Sequence, residues 1–398
     1  MSALLRCASQ GFLLLLVLAP GTVKAQSTPK WYDRLTMSGD FRVRSESFFQ
    51  EDATERTRLR VRMRIGIIAQ LTDGFTFGAR VATGTPGNIT STNVSLGSLG
   101  ELSPRVDRSY LRWSPTKTVQ VTAGKFGLPV WKATGGIGSE LVFDDDFAPE
   151  GLHQAITLFQ AEEGLVRRFA VHGDQWIMRE VGSGRDSWMV GTQAVLGLAL
   201  DDQTTLDLSG SYFDFINGEV LAQARNDNGE LLVSNTVITE SGATIDGGLS
   251  LKPSSSDPFD RFANDFRLVQ GTVGLTRSDV MGTRLAAYAT VVHNTGAEAQ
   301  NTGMWTGASL GTASRPGQWA FALAWARLEQ EAVLSMLSYS DLGKGGTNVQ
   351  GPIMAISWRP VASVTLSAKD HIMSLIRKVP SANANTLHRI QVDARVSF

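Results

Sequence analysis

The chain has 398 residues, 37 of them basic and 38 acidic, a formal net charge of −1 that gives no overall pull toward nucleic acid or anionic lipid. A single cysteine, Cys7, excludes a disulfide framework, and no segment beyond the first residues offers a run of about 18 uncharged apolar residues, which excludes membrane-spanning helices. Forty glycines and nine tryptophans fit β-structure with tight turns, and without a linker or a composition break one domain is the simplest count.

The opening "MSALLRCASQGFLLLLVLAPGTVKAQ" has a basic residue (Arg6), an apolar core over 11–19, Pro20 and a small-residue exit at Val23-Lys24-Ala25. It reads as a secretory signal peptide, residues 1–25, followed by the folded part at 26–398. Cys7 precedes the apolar core, so it is no lipoprotein acceptor.

Alternation then predicts strands in chain order. In 35–46, Phe41 and Val43 oppose Arg42 and Arg44. In "ERTRLRVRMRIGIIAQL" (55–71), arginine holds 56, 58, 60, 62 and 64 while Leu59, Val61, Met63, Ile65, Ile67, Ala69 and Leu71 stand between and beyond them. A helix would scatter these arginines around its circumference, whereas a strand puts one set on each face. Neighbouring arginines on one face are then roughly 6.7 Å apart. They repel by about 0.6 kcal/mol per pair in water and severalfold more in a dry interior. One face is dry, and the other needs water or counter-charge.

"TDG" turns this strand into 75–84, where Phe77, Ala79 and Val81 oppose Arg80. In 106–113, Leu111 and Trp113 oppose Arg108, Tyr110 and Arg112. Further strands are predicted at 118–126, 151–160, 165–173, 187–200, 204–215, 262–275, 283–292, 304–313, 318–328, 347–358, 363–372 and 387–398. Short turns such as "SPTK", "DDQ", "SRPG" and "RPVA" follow the even-numbered strands. Polar loops at 47–56, 85–105, 127–150, 174–186, 216–261, 293–303, 329–346 and 373–386 follow the odd-numbered ones.

A Greek-key sandwich has no reason to sort its connections in this way. The sorting fits an all-β, closed antiparallel up-and-down transmembrane β-barrel of about 16 strands. An additional hairpin within 216–261 would make 18. Closure is required because an open edge has no partner in hydrocarbon, so the last strand, ending on Phe398, must pair with the first. Trp113, Trp188, Trp305, Trp319, Trp325 and Trp358 are candidates for interfacial aromatic belts.

Several stretches resemble the β-barrel porin family of proteobacterial outer membranes: "QWAFALAWARLEQEAVLSMLSYSDLGKGGTNVQGPIMAISWRP" (318–360), "RLRVRMRIG", "TAGKFGLPVW" and "LVFDDDFAPEGL". The resemblance implies a channel in the outer membrane of a Gram-negative bacterium, without catalytic residues or cofactor. Its partners would be outer-membrane lipid, lipopolysaccharide and small hydrophilic solutes, not nucleic acid, with a homotrimer as a candidate assembly.

If the charged face lines a lumen, Arg42, Arg44, Arg58, Arg60, Arg62, Arg64 and Arg80 form a basic patch that Arg108 and Arg112 extend. The third long loop, 127–150, carries Glu140, Asp144, Asp145, Asp146 and Glu150. Folded inward, it would narrow the lumen and set a transverse field against the arginines. Some arginines could instead be neutralised by this loop or by lipopolysaccharide phosphates. "FDDDF" lacks the spacing of a calcium loop, and the five histidines show no metal spacing. A barrel hydrolase would need Ser, His and an acid converging on one site, a plugged active transporter needs a longer chain, and an anion-specific channel remains open.

Overall fold

The computed structural model describes residues 30–398 apart from 86, 98–101, 134–136, 183, 225–231, 249 and 380–381; the expected signal peptide lies outside the described residues. Sixteen antiparallel strands form the wall. They are β1 Leu35–Gln50, β2 Arg56–Thr72, β3 Phe75–Ala82, β4 Arg105–Trp113, β5 Val119–Lys125, β6 Glu150–Gln160, β7 Val166–Arg179 and β8 Ser187–Ala199. There follow β9 Thr204–Ile216, β10 Arg267–Val280, β11 Thr283–Asn294, β12 Thr302–Gly311, β13 Trp319–Leu328, β14 Val349–Val361, β15 Val364–Leu375 and β16 Leu387–Ser397.

Each strand pairs with its chain neighbours. β16 pairs with β1 from Asp40↔Ser397 to Gln50↔Leu387, which closes the ring. At the seam the Gly39 N–H donates to the Phe398 carbonyl at 2.9 Å, and the Phe398 N–H donates back to Gly39 at 3.1 Å. A Cβ on Gly39 would stand 2.6 Å from the Phe398 ring, so the terminal aromatic needs a residue without a side chain beneath it.

The turn at Asp73-Gly74 is a two-residue hairpin loop, with Gly74 at φ 80°. Gly74 takes the left-handed position of this turn, which a residue without a Cβ adopts at no steric cost. The longest connections, 83–104, 126–149, 217–266 and 329–348, all leave odd-numbered strands and so share one end of the barrel.

The two faces separate as period-two alternation requires. Along β8, Ser187, Met189, Gln193 and Val195 are buried, while Trp188, Val190, Thr192 and Ala194 are exposed. Outward apolar residues such as Leu59, Ile67, Phe77, Leu111, Val269 and Leu323 make a band around the wall. Aromatics flank it. Near the short-turn end Trp113 stacks on Phe75, and Trp319 stacks on Trp358. Trp188 and Trp325 are exposed near the other end.

Several boundaries depart from the predicted ones. The segment 217–266 adds no hairpin to the wall, which sets the 18-strand alternative aside. Its pieces Val237–Thr239, Thr244–Ile245 and Phe259–Phe262 form a separate three-stranded sheet, so the strand expected at 262–275 runs instead from Arg267 to Val280. β7 continues through Arg179, and the loop after it is shorter than predicted. Trp305 belongs to no belt: it is fully buried on the inner face beside Tyr339, with ring centroids 5.5 Å apart.

The loop 329–346, expected to be polar, buries Ala332, Val333, Leu334, Leu337 and Leu342. These side chains pack with Trp176, Phe213, Tyr288 and Trp305 from the inner faces of β7, β9, β11 and β12 and with Leu141, Val142 and Phe143 from 126–149. One side of the interior is therefore an apolar core built from wall and loops, and the opposite side is charged.

Candidate functional site

Register fixes the charged side. β1 presents Asp40, Arg42, Arg44 and Glu46 inward, and its pairing with β2 sets them opposite Arg64, Arg62, Arg60 and Arg58. On its other edge Arg42, Arg44 and Glu46 face Arg395, Asp393 and Gln391 of β16. The arginine run of β2 therefore has carboxylates at both of its ends, one strand away. Counter-charge held by strand register answers the repulsion within that run.

The hydrogen bonds follow this layout. Arg62 donates to Asp40 through Nε at 3.0 Å and Nη2 at 2.7 Å, and Arg64 Nε donates to the other Asp40 oxygen at 2.7 Å. Arg44 grips Asp393 through Nε and Nη2 at 2.7 and 2.8 Å, a two-pronged contact that a planar guanidinium makes well. Glu46 is fully buried. It accepts from Arg389 Nε and Nη2 at 3.0 and 2.7 Å, from Gln391 at 2.9 Å, from Arg60 at 3.5 Å and from Arg58. Arg42 Nη2 donates to Asn93 at 2.5 Å, and Arg60 Nη2 donates to Ser91 and the Asn93 carbonyl at 3.3 Å. The segment carrying these residues is held in place because Val94–Ser95 pairs with β2 beyond the end of β3.

Arg80 pairs with Asp107, which a β-bulge opposite Arg80/Val81 turns inward. Arg108 lies within the same wall, where a Cβ on Gly127 would stand 2.5 Å from its Nη1. Arg112 donates to Thr122 at 3.4 Å and lies over the Tyr110 ring, 5.4 Å from its centroid.

The five acids predicted in the third long loop divide among different partners. Asp146 reaches the arginines: Arg64 Nη1 is 3.3 Å away, and its other oxygen accepts from the Thr92 N–H and hydroxyl at 3.3 and 3.2 Å. Asp145 pairs with Lys132 at 2.5 Å, and its N–H donates to Glu140 at 2.8 Å. Asp144 accepts from the Asp146 N–H at 2.8 Å and the Ser340 N–H at 2.9 Å. Glu150 is the first residue of β6 and pairs with Lys125 in an exposed position. Burial, reinforced by the neighbouring Asp146 charge, pushes the Asp144 carboxyl up to about 7. Burial also raises Glu140 well above the usual carboxylate range, against the pull of Lys132.

The segment 126–149 packs against the inner face of the wall. Phe143 meets Phe213 and Trp176 edge-on at 5.2 Å, the Tyr288 hydroxyl donates to the Ile137 carbonyl, and Gln193 brackets the Trp131 backbone with bonds of 2.7 and 3.1 Å. It is also tied to 329–348, where the Asp144 N–H donates to the Leu337 carbonyl at 2.8 Å. A second tie joins 329–348 to the segment after 217: buried Asn235 donates to the Gln330 and Val333 carbonyls at 2.7 and 2.9 Å and accepts from the Ser335 N–H at 2.9 Å.

Sequence reading did not single out Asp40, Glu46, Asp107, Asp341, Asp393 or Arg389. Asp40 and Glu46 share the parity of Arg42 and Arg44, as Arg389 and Asp393 share a parity in β16, so the alternation that found the arginines reaches these four as well. Asp341 is carried by a loop and Asp107 by a bulge, and neither has a periodic signal.

Two cavities lie beside this wall. One of about 690 Å³ is lined by Arg56, Arg58, Arg60, Arg389 and Lys344 with serines and apolar residues around them. The other, about 420 Å³, mixes Arg105, Arg179 and Lys125 with Asp107, Asp146 and Glu150. Both touch Thr85, Ile89, Ser91 and Met336, so they adjoin across the 85–91 segment.

Comparison with solved structures places the fold among outer-membrane porins. OprB of Pseudomonas putida, in its high-pH structure, superposes with a TM-score of 0.55 at 10% identity over 92% of this chain and 95% of that one. OmpF of Salmonella typhi, in complex with daunomycin, gives 0.52 at 11% identity over 92% and 97%. At such identities the likeness concerns the fold. No curated protein matches the sequence. The model of a family described as "Putative porin" matches residues 48–244. That match covers the arginine strand, the acidic segment and the wall through β9, so over this stretch the chain is similar to a porin family, and the sixteen-stranded barrel around it has the fold of outer-membrane porins.

Proposed function

We propose that the chain is a passive diffusion channel for small hydrophilic solutes, with its narrowest part between the arginine wall of β1–β4 and the acidic segment 140–146. Residues 1–25 are the export signal in this reading, the outward apolar band contacts outer-membrane lipid, and the long loops face lipopolysaccharide. The contact that carries the proposal is Arg64 to Asp146, a 3.3 Å ion pair that joins loop to wall and sets the acidic segment beside the basic wall at the margin of the passage. Charges of opposite sign on facing sides of a narrow, water-filled passage orient dipolar solutes and disfavour apolar ones. Most of the wall's arginines are already paired within the wall, so the transverse field is concentrated where Asp146 and the unshared arginine edges face the passage.

Reconstitution of the purified protein in planar bilayers tests this. Discrete conductance steps are expected, with the reversal potential under a KCl gradient moving toward anion preference in Asp146→Asn and toward cation preference in Arg62→Glu. Folded protein that gives no steps, or two variants with the wild-type reversal potential, would refute it.

A further inference from the structure

The larger cavity, at the end of the barrel that bears the long loops, has a one-sided charge. Arg56, Arg58, Arg60, Arg389 and Lys344 line it, and no carboxylate stands among its described lining residues. The compensating acids lie behind the surface: Glu46 beneath Arg58, Arg60 and Arg389, and Asp341 on Arg389. Arg56 and Lys344 are exposed and have no carboxylate partner among the described residues. Five cations over two acids leave the cavity positive.

Two of these cations are held rigidly. The Phe48 ring sits between the guanidiniums of Arg58 and Arg389, 5.4 and 5.3 Å from its centroid, so cation–π attraction adds to the grip of Glu46. The buried Arg60 keeps its Nε without a partner among the described residues. The rest of the lining has two chemistries: hydroxyls at Ser91, Ser234, Ser335 and Ser338, and apolar surface at Phe48, Ile89, Leu232 and Met336. Guanidiniums and hydroxyls suit an oxyanion, and the apolar surface suits a hydrocarbon body attached to it. A bare inorganic anion would leave that surface wet.

We propose that this cavity is a binding site for an organic carboxylate with an apolar body, seated with its carboxylate toward Arg58, Arg60 and Arg389 and its hydrocarbon part toward Ile89, Leu232 and Met336. The site rests on the channel reading for its physiological meaning, as the place where such a solute is concentrated before passage, but its occupancy is measurable without conduction. A volume of about 690 Å³ accommodates a solute the size of benzoate with several waters.

Isothermal titration calorimetry of the detergent-solubilised full chain with sodium benzoate reads the site directly. Saturable one-to-one binding is expected, at least tenfold weaker in the double variant Arg56→Glu/Lys344→Glu, whose two side chains are exposed and outside the paired wall. Met336→Gln should weaken benzoate several-fold while leaving acetate unchanged. Benzyl alcohol binding as well as benzoate would overturn the proposal, as would phosphate or chloride competing at equal concentration, or benzoate affinity unmoved by the double variant. Absence of conductance in bilayers, with benzoate binding intact, would instead count against the channel reading alone.

Discussion

Glu46→Gln is the sharpest probe of how the arginine wall is held together. Glu46 is fully buried and meets Arg58, Arg60, Arg389 and Gln391 at once. Glutamine keeps the volume and one carbonyl oxygen but loses the charge, and its NH₂ group points donors at guanidiniums that can only donate. At least two charge-assisted hydrogen bonds are lost, each contributing about 1.5–3 kcal/mol. The independent figure for stranding one half of a buried ion pair is about 3–5 kcal/mol. Both give a loss near 3–5 kcal/mol, at least two decades in the folding equilibrium by the usual ~1.4 kcal/mol per decade. Urea titration of the barrel in lipid vesicles, followed by tryptophan fluorescence, measures it. Glu150→Gln is the matched control, because the exposed Lys125–Glu150 pair is worth less than about 1 kcal/mol. The loss at Glu46 should persist at 1 M salt, since buried pairs are screened little. A Glu46→Gln loss under about 1 kcal/mol, or one equal to that of Glu150→Gln, would show that register-held carboxylates do not neutralise the wall.

Two further outcomes follow from the loops. Asp144 is protonated below pH about 7 and ionised above it, so cation preference should rise between pH 6 and pH 8 and stay flat in Asp144→Asn. Its native pKa lies above the unfolded value, so its ionisation lowers stability as pH climbs toward 7; a reversal potential equally pH-dependent in both proteins would contradict this assignment. Asn235→Ala removes three buried hydrogen bonds that join the segment after 217 to 329–348. It should cost about 2–4 kcal/mol locally. Limited proteolysis within 232–248 or 329–348 should then quicken at least tenfold while the wall stays intact, and unchanged cleavage would deny the tie its structural role.

The wall was legible because it obeys one rule. Alternation in β1, β2, β3, β4, β9 and β16 gave strand and face together, since a residue's parity decides whether it points outward or toward the interior. The alternation of β2 also gave the arginine cluster. The loops follow no such rule. "AVLSML" within 332–337 and "LVF" at 141–143 are apolar, but nothing in their spacing says that they pack on Trp176, Phe213 and Trp305 across the interior. Those aromatics stand at inward positions where a water-filled lumen calls for polar residues, and in retrospect that misfit was the trace of the apolar core. The pairing of Asp146 with Arg64, and of Asp144 with Ser340, depends on where three long segments settle, which is a tertiary matter that local pattern does not reach.

The closing seam also bears on the order in which this molecule can assemble. Arg44 and Asp393 lie 349 positions apart, and Glu46 and Arg389 lie 343 apart, yet they touch. Until the two ends of the polypeptide meet, Arg44 lacks its Asp393 and Glu46 its Arg389. Before closure Glu46 keeps Arg58 and Arg60 of the neighbouring strand, but Arg44 and Asp393 lack each other, and an unpaired charge is costly wherever water is scarce. Completing the ring closes the longest loop in the chain, a contact of high sequence separation whose entropic cost is met last. The C-terminal strand acts as a keystone whose arrival discharges the interior at the moment it seals the edge.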